Sequence, residues 1–175
     1  MPHCSGDVRM NRRGRENDDQ VPPSLKVVIE IPRGSFLKWG SSGSLDFISP
    51  VPCPFNYGSV EGYLGLEGDL LDAVVLGPRL PRGTRVDVQA LAAIGLTDRG
   101  LYDDKLICSS SALSRWQRLL VILFFRFYAR CKGLLNLFRR RPGRNACEGW
   151  CAAQEAISRA TPIIDGVEVN PTVPF

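Results

Sequence analysis

The sequence is poor in histidine: its 175 residues contain only His3, which lies in a polar segment at the start of the chain. Ser-His-Asp and Cys-His catalytic systems need a histidine as the general base, so hydrolases of that kind are excluded. Any acid–base chemistry must therefore come from carboxylates, lysines, tyrosines or metal-bound water.

Two further absences concern cysteine pairs and apolar runs. The six cysteines form no Cys-x-x-Cys pair, and their spacing fits neither a zinc site nor a small disulfide-bonded scaffold. Reduced thiols, and hence a cytoplasmic protein, are expected. The run Leu119 to Phe125 is far shorter than the ~20 residues that span a bilayer, and no signal-peptide core follows Met1, so no membrane partner is expected.

The length fits one domain with a sizeable core. The net charge of +4 is mild and comes largely from two basic runs at 9–15 and 139–144, so no nucleic-acid partner is expected. Composition predicts a disordered polar tail over 1–24, one domain over 25–160 and a loose tail over 161–175.

Short apolar runs, some alternating with polar residues, are separated by turn residues and predict strands. We expect a loop over Gly34–Ser44 and a small closed or nearly closed β-barrel, because five or more short strands follow one another. The predicted strands are Val27–Ile31, Asp46–Ile48, Ser59–Tyr63, Ala73–Leu76, Thr84–Ala90 continued by Ala92–Leu96, and Lys105–Cys108.

From Ser114 the period changes to three and four residues, which predicts an amphipathic helix. Its apolar face contains Trp116, Leu123, Phe127 and Leu134 among others, and four arginines fall on the other face. Packing of the apolar face in the core is favoured over a membrane-surface role, which the basic face leaves open. A second helix is expected over Glu148–Ala160.

An acidic cluster, Glu67, Asp69 and Asp72, precedes the apolar run Ala73–Leu76. Closely spaced carboxylates raise one another's proton affinity unless solvent or a cation neutralises them. Because a buried strand follows, a site for Mg²⁺ is favoured over a solvated turn.

A second acidic set, Asp98, Asp103 and Asp104, lies between two predicted strands, and Glu30 stands in an apolar strand. The two acidic loops can converge on one cavity, where Lys38 and Lys105 would meet an anionic ligand. Carboxylates combined with lysines indicate Mg²⁺ ions that hold a polyphosphate.

At this point the sequence resembles the soluble family I inorganic pyrophosphatases, from about Val27 to Ala160. The resemblance implies an OB-like five-stranded β-barrel with two C-terminal helices, a mainly β fold with flanking α. The motifs that carry it, in order, are Val27–Pro32, Lys38, Pro54–Gly58, Glu67–Asp72, Thr97–Asp98, Asp103–Lys105, Phe124–Phe125 with Tyr128, and Glu148–Trp150.

The resemblance also implies roles for individual residues. Asp69 matches the carboxylate that activates the nucleophilic water. Lys38, Tyr57 and Tyr128 match residues that hold the phosphates, and Lys105 matches a lysine at the cavity edge. The carboxylates that match metal ligands are Glu67, Asp72, Asp98 and Asp103. Glu30 matches a carboxylate of the metal site that supports these ligands.

Several positions depart from the family pattern. Glu67 replaces the first aspartate of the signature and Leu70 its proline, while Ser49 stands where the phosphate-binding arginine falls. The lysine expected after Tyr128 is Ala129, for which Arg130 is a partial substitute. Metal ligation is thus mostly retained and the grip on phosphate is weakened.

The function expected from the resemblance is Mg²⁺-dependent hydrolysis of pyrophosphate to two phosphates, with Mn²⁺ as a substitute metal, by a homo-oligomer that is a hexamer in similar bacterial enzymes. The alternative is a catalytically weakened paralogue that binds phosphate compounds or assembles with partners. A nucleic-acid-binding barrel is disfavoured, because basic residues are not interleaved with aromatic stacking platforms.

Overall fold

The structure is a computed structural model that describes residues 21–39, 45–48, 51–66, 68–98, 100–138 and 143–163, with the backbone alone at 38, 39, 45–48, 135 and 137. Its elements are β1 (Ser24–Ile31), β2 (Leu37–Trp39), β3 (Leu45–Ile48), β4 (Asn56–Leu64), β5 (Leu70–Val75), β6 (Arg85–Asp98), β7 (Leu101–Tyr102), β8 (Lys105–Ser109), α1 (Arg115–Phe138), β9 (Ala146–Cys151), α2 (Ala153–Arg159) and β10 (Thr161–Pro162).

Five strands close into a barrel in the order β1-β4-β5-β8-β6, and β1 pairs with β6 to complete the circle. All neighbours are antiparallel except β5 and β8, which run parallel. The predicted OB-like five-stranded barrel with two helices is therefore confirmed. Closure matters because it leaves no barrel strand with an unpaired edge.

The barrel strands bury residues on both faces, because two apolar clusters lie on either side of them. One cluster takes residues from all five strands and is completed by Ala153 and Ala156 of α2. The other lies between the strands and α1, where Val121 and Phe125 pack. Alternate residues of a strand point to opposite faces; Val74 belongs to the α1 side, so Asp72, two residues earlier, does too.

Helix α1 begins with a reciprocal capping pair: the Gln117 amide donates to Ser114 Oγ at 3.2 Å, and the Ser114 amide donates to Gln117 Oε1 at 2.8 Å. This arrangement satisfies amide groups that the first turn leaves unpaired. An aromatic cluster then holds the helix on the barrel, with Phe55 and Phe124 at a ring separation of 4.9 Å and Phe124 and Tyr128 at 6.3 Å.

The expectation that the apolar face of this helix packs in the core holds for only part of that face: Phe124 and Tyr128 pack on the barrel, whereas Trp116 and Leu123 are exposed. The core takes the narrow line of Val121, Phe125 and Ala129. Only this side of the helix faces the barrel, so a second line of apolar residues, on the outer side of the helix, remains exposed to solvent. That line contains Trp116, Leu120, Leu123, Phe127 and Leu134.

The second predicted helix is also too long, because residues 146–151 form β9 and pair with β6 instead. The part of β6 that pairs with β9 (residues 93–97) lies beyond the part that pairs with β1 (residues 85–89). Tertiary pairing there prevailed over the helical spacing of the segment. The loop predicted over 34–44 contains β2, which pairs with β3. Within the described residues, no helix combines the length and apolar character needed to cross a bilayer.

Candidate active site

The parallel pair of β5 and β8 sets the centre of the site, because Asp72 and Lys105 are register partners. The Lys105 ammonium donates to Asp72 Oδ2 and to Asp103 Oδ1, and its side chain is only 3% exposed. A buried ammonium is stable only when paired. The two carboxylates and this lysine therefore form one unit.

Tyr57 joins the unit from β4, where its hydroxyl donates to Asp72 Oδ2 at 2.6 Å. Burial raises the pKa of Tyr57 well above its usual value, and the nearby carboxylates of Asp72 and Asp103 raise it further. The phenol consequently stays protonated and acts as a donor at neutral pH.

Helix α1 supplies a second lysine that sequence reasoning missed. Lys132 Nζ lies 2.7 Å from Asp98 Oδ2 and 3.7 Å from Asp103 Oδ2, and 5.9 Å from the ring centroid of Tyr128. Burial lowers the pKa of Lys132, but Tyr128 and Asp103 raise it, and the net shift is upward. Its signal was its spacing of one helical turn from Tyr128, which puts both residues on one face.

Asp98 is held from a further direction, because the Asn136 side-chain amide donates to Asp98 Oδ1 at 3.1 Å. Asn136 lies one turn beyond Lys132, so one face of α1 presents a tyrosine, a lysine and an amide to the acidic loops. Ala129, where the family pattern has a lysine, is instead buried with 7% exposure, and Arg130 is exposed.

Glu30 lies at an irregularity of β1, since the pairing with β4 shifts register between Ile29 and Ile31. Such bulges turn side chains and often stand beside active sites. Ser59 Oγ donates to Glu30 Oε1 at 2.8 Å, and Ser59 is also the register partner of Asp72. The close approach of these strands requires Gly58, because a Cβ there would lie 1.9 Å from the backbone oxygen of Val28.

Asp69 lies at the turn that leads into β5. Its side chain is exposed, and its carbonyl accepts from the Gly65 amide at 2.8 Å. Glu67 and Ser49 lie outside the described residues. Lys38 is in β2 as a register partner of Phe47, and its side chain also lies outside the description.

The described residues thus bring together Asp72, Asp98 and Asp103 with Lys105, Lys132 and Tyr57, while Asp104 points elsewhere. Asp104 Oδ2 accepts from Arg159 Nε at 2.7 Å, and its Oδ1 is buried with no hydrogen-bond partner in the described part of the chain. Burial raises the pKa of Asp104, against the lowering effect of Arg159.

The donor set suits a hard divalent cation, because it consists of carboxylate and hydroxyl oxygens. The ammonium groups of Lys105 and Lys132 each lie between two of these carboxylates. They therefore occupy positions where the negative charge must be balanced by a cation. No group of three or more His, Cys, Asp or Glu side chains is already gathered around one point within the described residues. The kinds of donor present thus fit a divalent metal, although their side chains do not yet converge on one point. Glu67, a further expected ligand, lies outside the described residues.

A family model described as inorganic pyrophosphatase matches residues 27–122 of this chain. An inorganic pyrophosphatase of Leifsonia xyli is 33% identical over 144 residues, which is 74% of this chain and 87% of that relative. One from Gluconobacter oxydans is 33% identical over 96 residues, or 50% of this chain and 56% of that relative. The chain spans about 56–62% of the length of the first curated relatives it matches.

The fold is also found in solved structures. The inorganic pyrophosphatase from Helicobacter pylori superposes with a TM-score of 0.63 at 24% identity, over 81% of this chain and 94% of that chain. The enzyme from Thermus thermophilus gives a TM-score of 0.63 at 24% identity, over 81% and 89% of the two chains. These likenesses are likenesses of fold.

Proposed function

Because the chain belongs to the inorganic pyrophosphatase family, which implies a divalent metal cofactor, we propose that it hydrolyses inorganic pyrophosphate to two phosphates with Mg²⁺, for which Mn²⁺ can substitute. The single observation that carries this proposal is the group of Asp72, Asp98 and Asp103 held between Lys105 and Lys132. Carboxylates that gather cations and lysines that bind phosphate are the two requirements for a polyphosphate substrate.

The metal would be held by Asp72, Asp98 and Asp103 together with Glu67, and Glu30 would support them through Ser59. When bound, a divalent cation lowers the pKa of a water ligand and offsets the charge of the phosphates. The network supports this role because each carboxylate already takes part in a charge-assisted contact that a stronger cation can replace.

Phosphate binding is proposed for Lys38, Lys105, Lys132, Tyr57 and Tyr128. An anionic substrate competes with the carboxylates for these donors: as the carboxylates turn to the metal, the ammonium groups are released to the phosphate oxygens. Lysine suits this exchange, since its flexible stem carries a compact point charge. Lys132 supplies, one turn later, a positive charge that Ala129 does not provide.

In the hydrolytic step, the oxygen of water attacks one phosphorus and the bridging P–O bond breaks. The bridging oxygen keeps the bonding electrons and leaves with the second phosphate. Asp69 is proposed to take the proton of the attacking water. What supports this role is that Asp69 stands three residues before Asp72 in the chain, since a general base must come within hydrogen-bond reach of the water that the neighbouring carboxylates help to bind.

The unit that carries this activity is proposed to be the domain over 25–160, with 1–24 and 161–175 as tails. A cytoplasmic location and a homo-oligomer, a hexamer by family resemblance, are part of the same proposal. Sedimentation velocity of the purified chain measures the oligomer directly.

The deciding experiment measures phosphate release from pyrophosphate by metal-stripped protein, before and after addition of Mg²⁺ or Mn²⁺. We expect activity only with metal, and a loss of about 100-fold or more in Asp72→Asn and in Asp69→Asn. Asp87→Asn, an exposed aspartate of β6, is the charge-matched control and should retain activity. A wild type that releases no phosphate with either metal would favour the weakened, phosphate-binding paralogue.

A further inference from the structure

Asn136 is a polar residue in an apolar stretch near the end of α1. The other residues of the sequence run 134–138 are leucine or phenylalanine, and Asn136 is nevertheless buried, with 8% of its surface exposed. Burying an amide costs free energy unless hydrogen bonds replace those to water, and asparagine is a weaker helix former than leucine. Its partners therefore account for its presence at this position.

The side-chain nitrogen of Asn136 has two acceptors. Asn136 Nδ2 donates to Asp98 Oδ1 at 3.1 Å and to Asn145 Oδ1 at 3.3 Å. An ionised carboxylate only accepts hydrogen bonds, so Asp98 determines which end of the Asn136 amide faces it. Asn145 Nδ2 donates in turn to the Gly143 carbonyl at 2.9 Å. We call Asn136 and Asn145 the amide relay, because they connect Asp98 to the backbone before β9.

The segment that anchors the amide relay also holds the backbone on both sides of Asp98. The Gly100 amide donates to the Arg144 carbonyl at 3.1 Å, and Thr97 is the register partner of Ala146 in β9. Asp98 is the last residue of β6. Its neighbours in the chain and its side chain are thus all tied to the same segment, which fixes where its carboxylate stands.

The two oxygens of Asp98 meet different kinds of donor. Oδ2 lies 2.7 Å from the Lys132 ammonium, whereas Oδ1 accepts from the neutral amide of Asn136. A divalent cation repels an ammonium group, so Lys132 has to leave Oδ2 when a metal approaches. The Asn136 amide carries no net charge and can remain on Oδ1. It then keeps the carboxylate from rotating and leaves Oδ2 directed at the site.

We propose that Asn136 is a positioning residue for the metal site: it orients Asp98 so that Oδ2 is available to a divalent cation once Lys132 turns to phosphate. This role rests on the proposed function, in which Asp98 is a metal ligand. Carboxylate ligands are themselves commonly hydrogen-bonded, and loss of such a partner lowers metal affinity by about 10- to 100-fold.

The test measures Mg²⁺ binding to the metal-stripped full chain by isothermal titration calorimetry, without pyrophosphate. Asn136→Leu keeps a side chain of similar size and removes the donor. We expect this variant to raise the Kd for Mg²⁺ by about tenfold, with a change in the same direction for Mn²⁺. Asn145→Ala removes only the far end of the amide relay and should raise the Kd by less.

Steady-state kinetics supplies a second readout. In Asn136→Leu the Mg²⁺ concentration for half-maximal phosphate release should rise by about tenfold, while the KM for pyrophosphate at saturating Mg²⁺ should stay within about twofold of the wild-type value. The reason is that the Asn136 amide donates to Asp98 and Asn145 rather than to a side chain proposed to bind phosphate. Lys132→Met should show the opposite split, with a raised KM and no loss of Mg²⁺ affinity.

The matched control is Gln117→Ala, about 28 Å away along the same helix. It removes the hydrogen bond that Gln117 Oε1 accepts from the Ser114 amide at 2.8 Å, so it weakens α1 far from Asp98. We expect wild-type Mg²⁺ affinity in this variant. Circular dichroism at the titration temperature establishes that each variant is folded.

Unchanged Mg²⁺ affinity in a folded Asn136→Leu protein would overturn the proposal. An equal loss in Gln117→Ala would overturn it too, because the effect would then come from loosening of α1. If Asn136→Leu does not fold, Asn145→Ala decides, and wild-type affinity there counts against the amide relay. A wild type that binds neither Mg²⁺ nor Mn²⁺ would refute the metal site of the proposed function, and the role of Asn136 with it.

Discussion

Asp103 and Asp104 are adjacent in the sequence, yet the fold places them in two different networks. Asp103 meets the ammonium groups of Lys105 and Lys132 beside Asp72 and Asp98. Asp104 meets Arg159, which also binds Glu155 at 2.8 Å and lies over the ring of Tyr102. One aspartate, Asp103, therefore belongs to the candidate active site. The other, Asp104, belongs to an ion-pair network with Arg159 that supports the fold, and we call this network the arginine brace.

The partners explain the difference. Lysine makes contacts that a metal or a phosphate can replace, because its ammonium is a compact charge on a flexible stem. The guanidinium group of arginine is planar and donates its hydrogen bonds in fixed directions, so it stabilises one arrangement of the carboxylates around it. Cations that can be exchanged mark the candidate site, and the arginine brace fixes α2 on the barrel.

The largest expected effect distinguishes the two aspartates by activity. Asp103→Asn should lower phosphate release with Mg²⁺ by about 100-fold or more, because an uncharged amide cannot offset the charge of a divalent cation. Because Lys105 keeps its contact with Asp72, the variant should remain folded at the assay temperature, as measured by circular dichroism, even if its unfolding midpoint falls. An Asp103→Asn protein with near-normal turnover would remove Asp103 from the site.

The second prediction examines the brace. Asp104→Ala should lower the free energy of unfolding by about 3 kcal/mol, because it leaves a partly buried arginine without its main partner. Denaturant unfolding measures this loss. Arg85→Ala is the control: its pair with Glu61 has a separation of 2.8 Å, close to the 2.7 Å between Arg159 and Asp104. The side chains of Arg85 and Glu61 are 69% and 37% exposed, so we expect a change below about 1 kcal/mol. Equal losses in both variants would contradict the distinction.

A third, smaller effect concerns Lys132. Lys132→Met should raise the KM for pyrophosphate by about tenfold, because one charge-assisted contact to phosphate is lost. Lys132→Arg should restore part of it. Lys26→Met, an exposed lysine of β1, should leave KM unchanged. If Lys132→Met altered stability alone, with KM constant, Lys132 would belong with the structural pairs.

The smallest effect is a pH dependence at Tyr57. Its pKa is raised above 10.0 in the folded state, so its contribution to stability is complete below pH 10 and is lost as the pH rises through the raised value. The difference in unfolding free energy between the wild type and Tyr57→Phe should be constant below pH 10 and shift against the wild type above it. Chemical unfolding across this range measures the difference, and parallel curves at every pH would refute the assignment.

Much of the fold could be predicted from the sequence because the strands carry apolar runs or a period of two, and the turns carry Gly and Pro. The sequence also singled out Asp72 and Asp103, whose side chains the structure brings to Lys105, since carboxylate density is a local property; the role of Asp69 stays a prediction. Lys132 was missed because its role depends on which side of α1 faces the barrel. The strand β9 was missed because its pairing with β6 is a tertiary contact that helical spacing conceals.

Strand β1 is hydrogen bonded along both of its edges, to β4 on one side and to β6 on the other. It closes the barrel, and its loss would leave the hydrogen-bonding edges of both β4 and β6 unpaired. Removal of the chain through Ile31 would thus convert the closed barrel into an open sheet with edges that pair readily with other chains. The tolerated limit of N-terminal trimming is therefore set by this strand, and aggregation is the outcome expected beyond it.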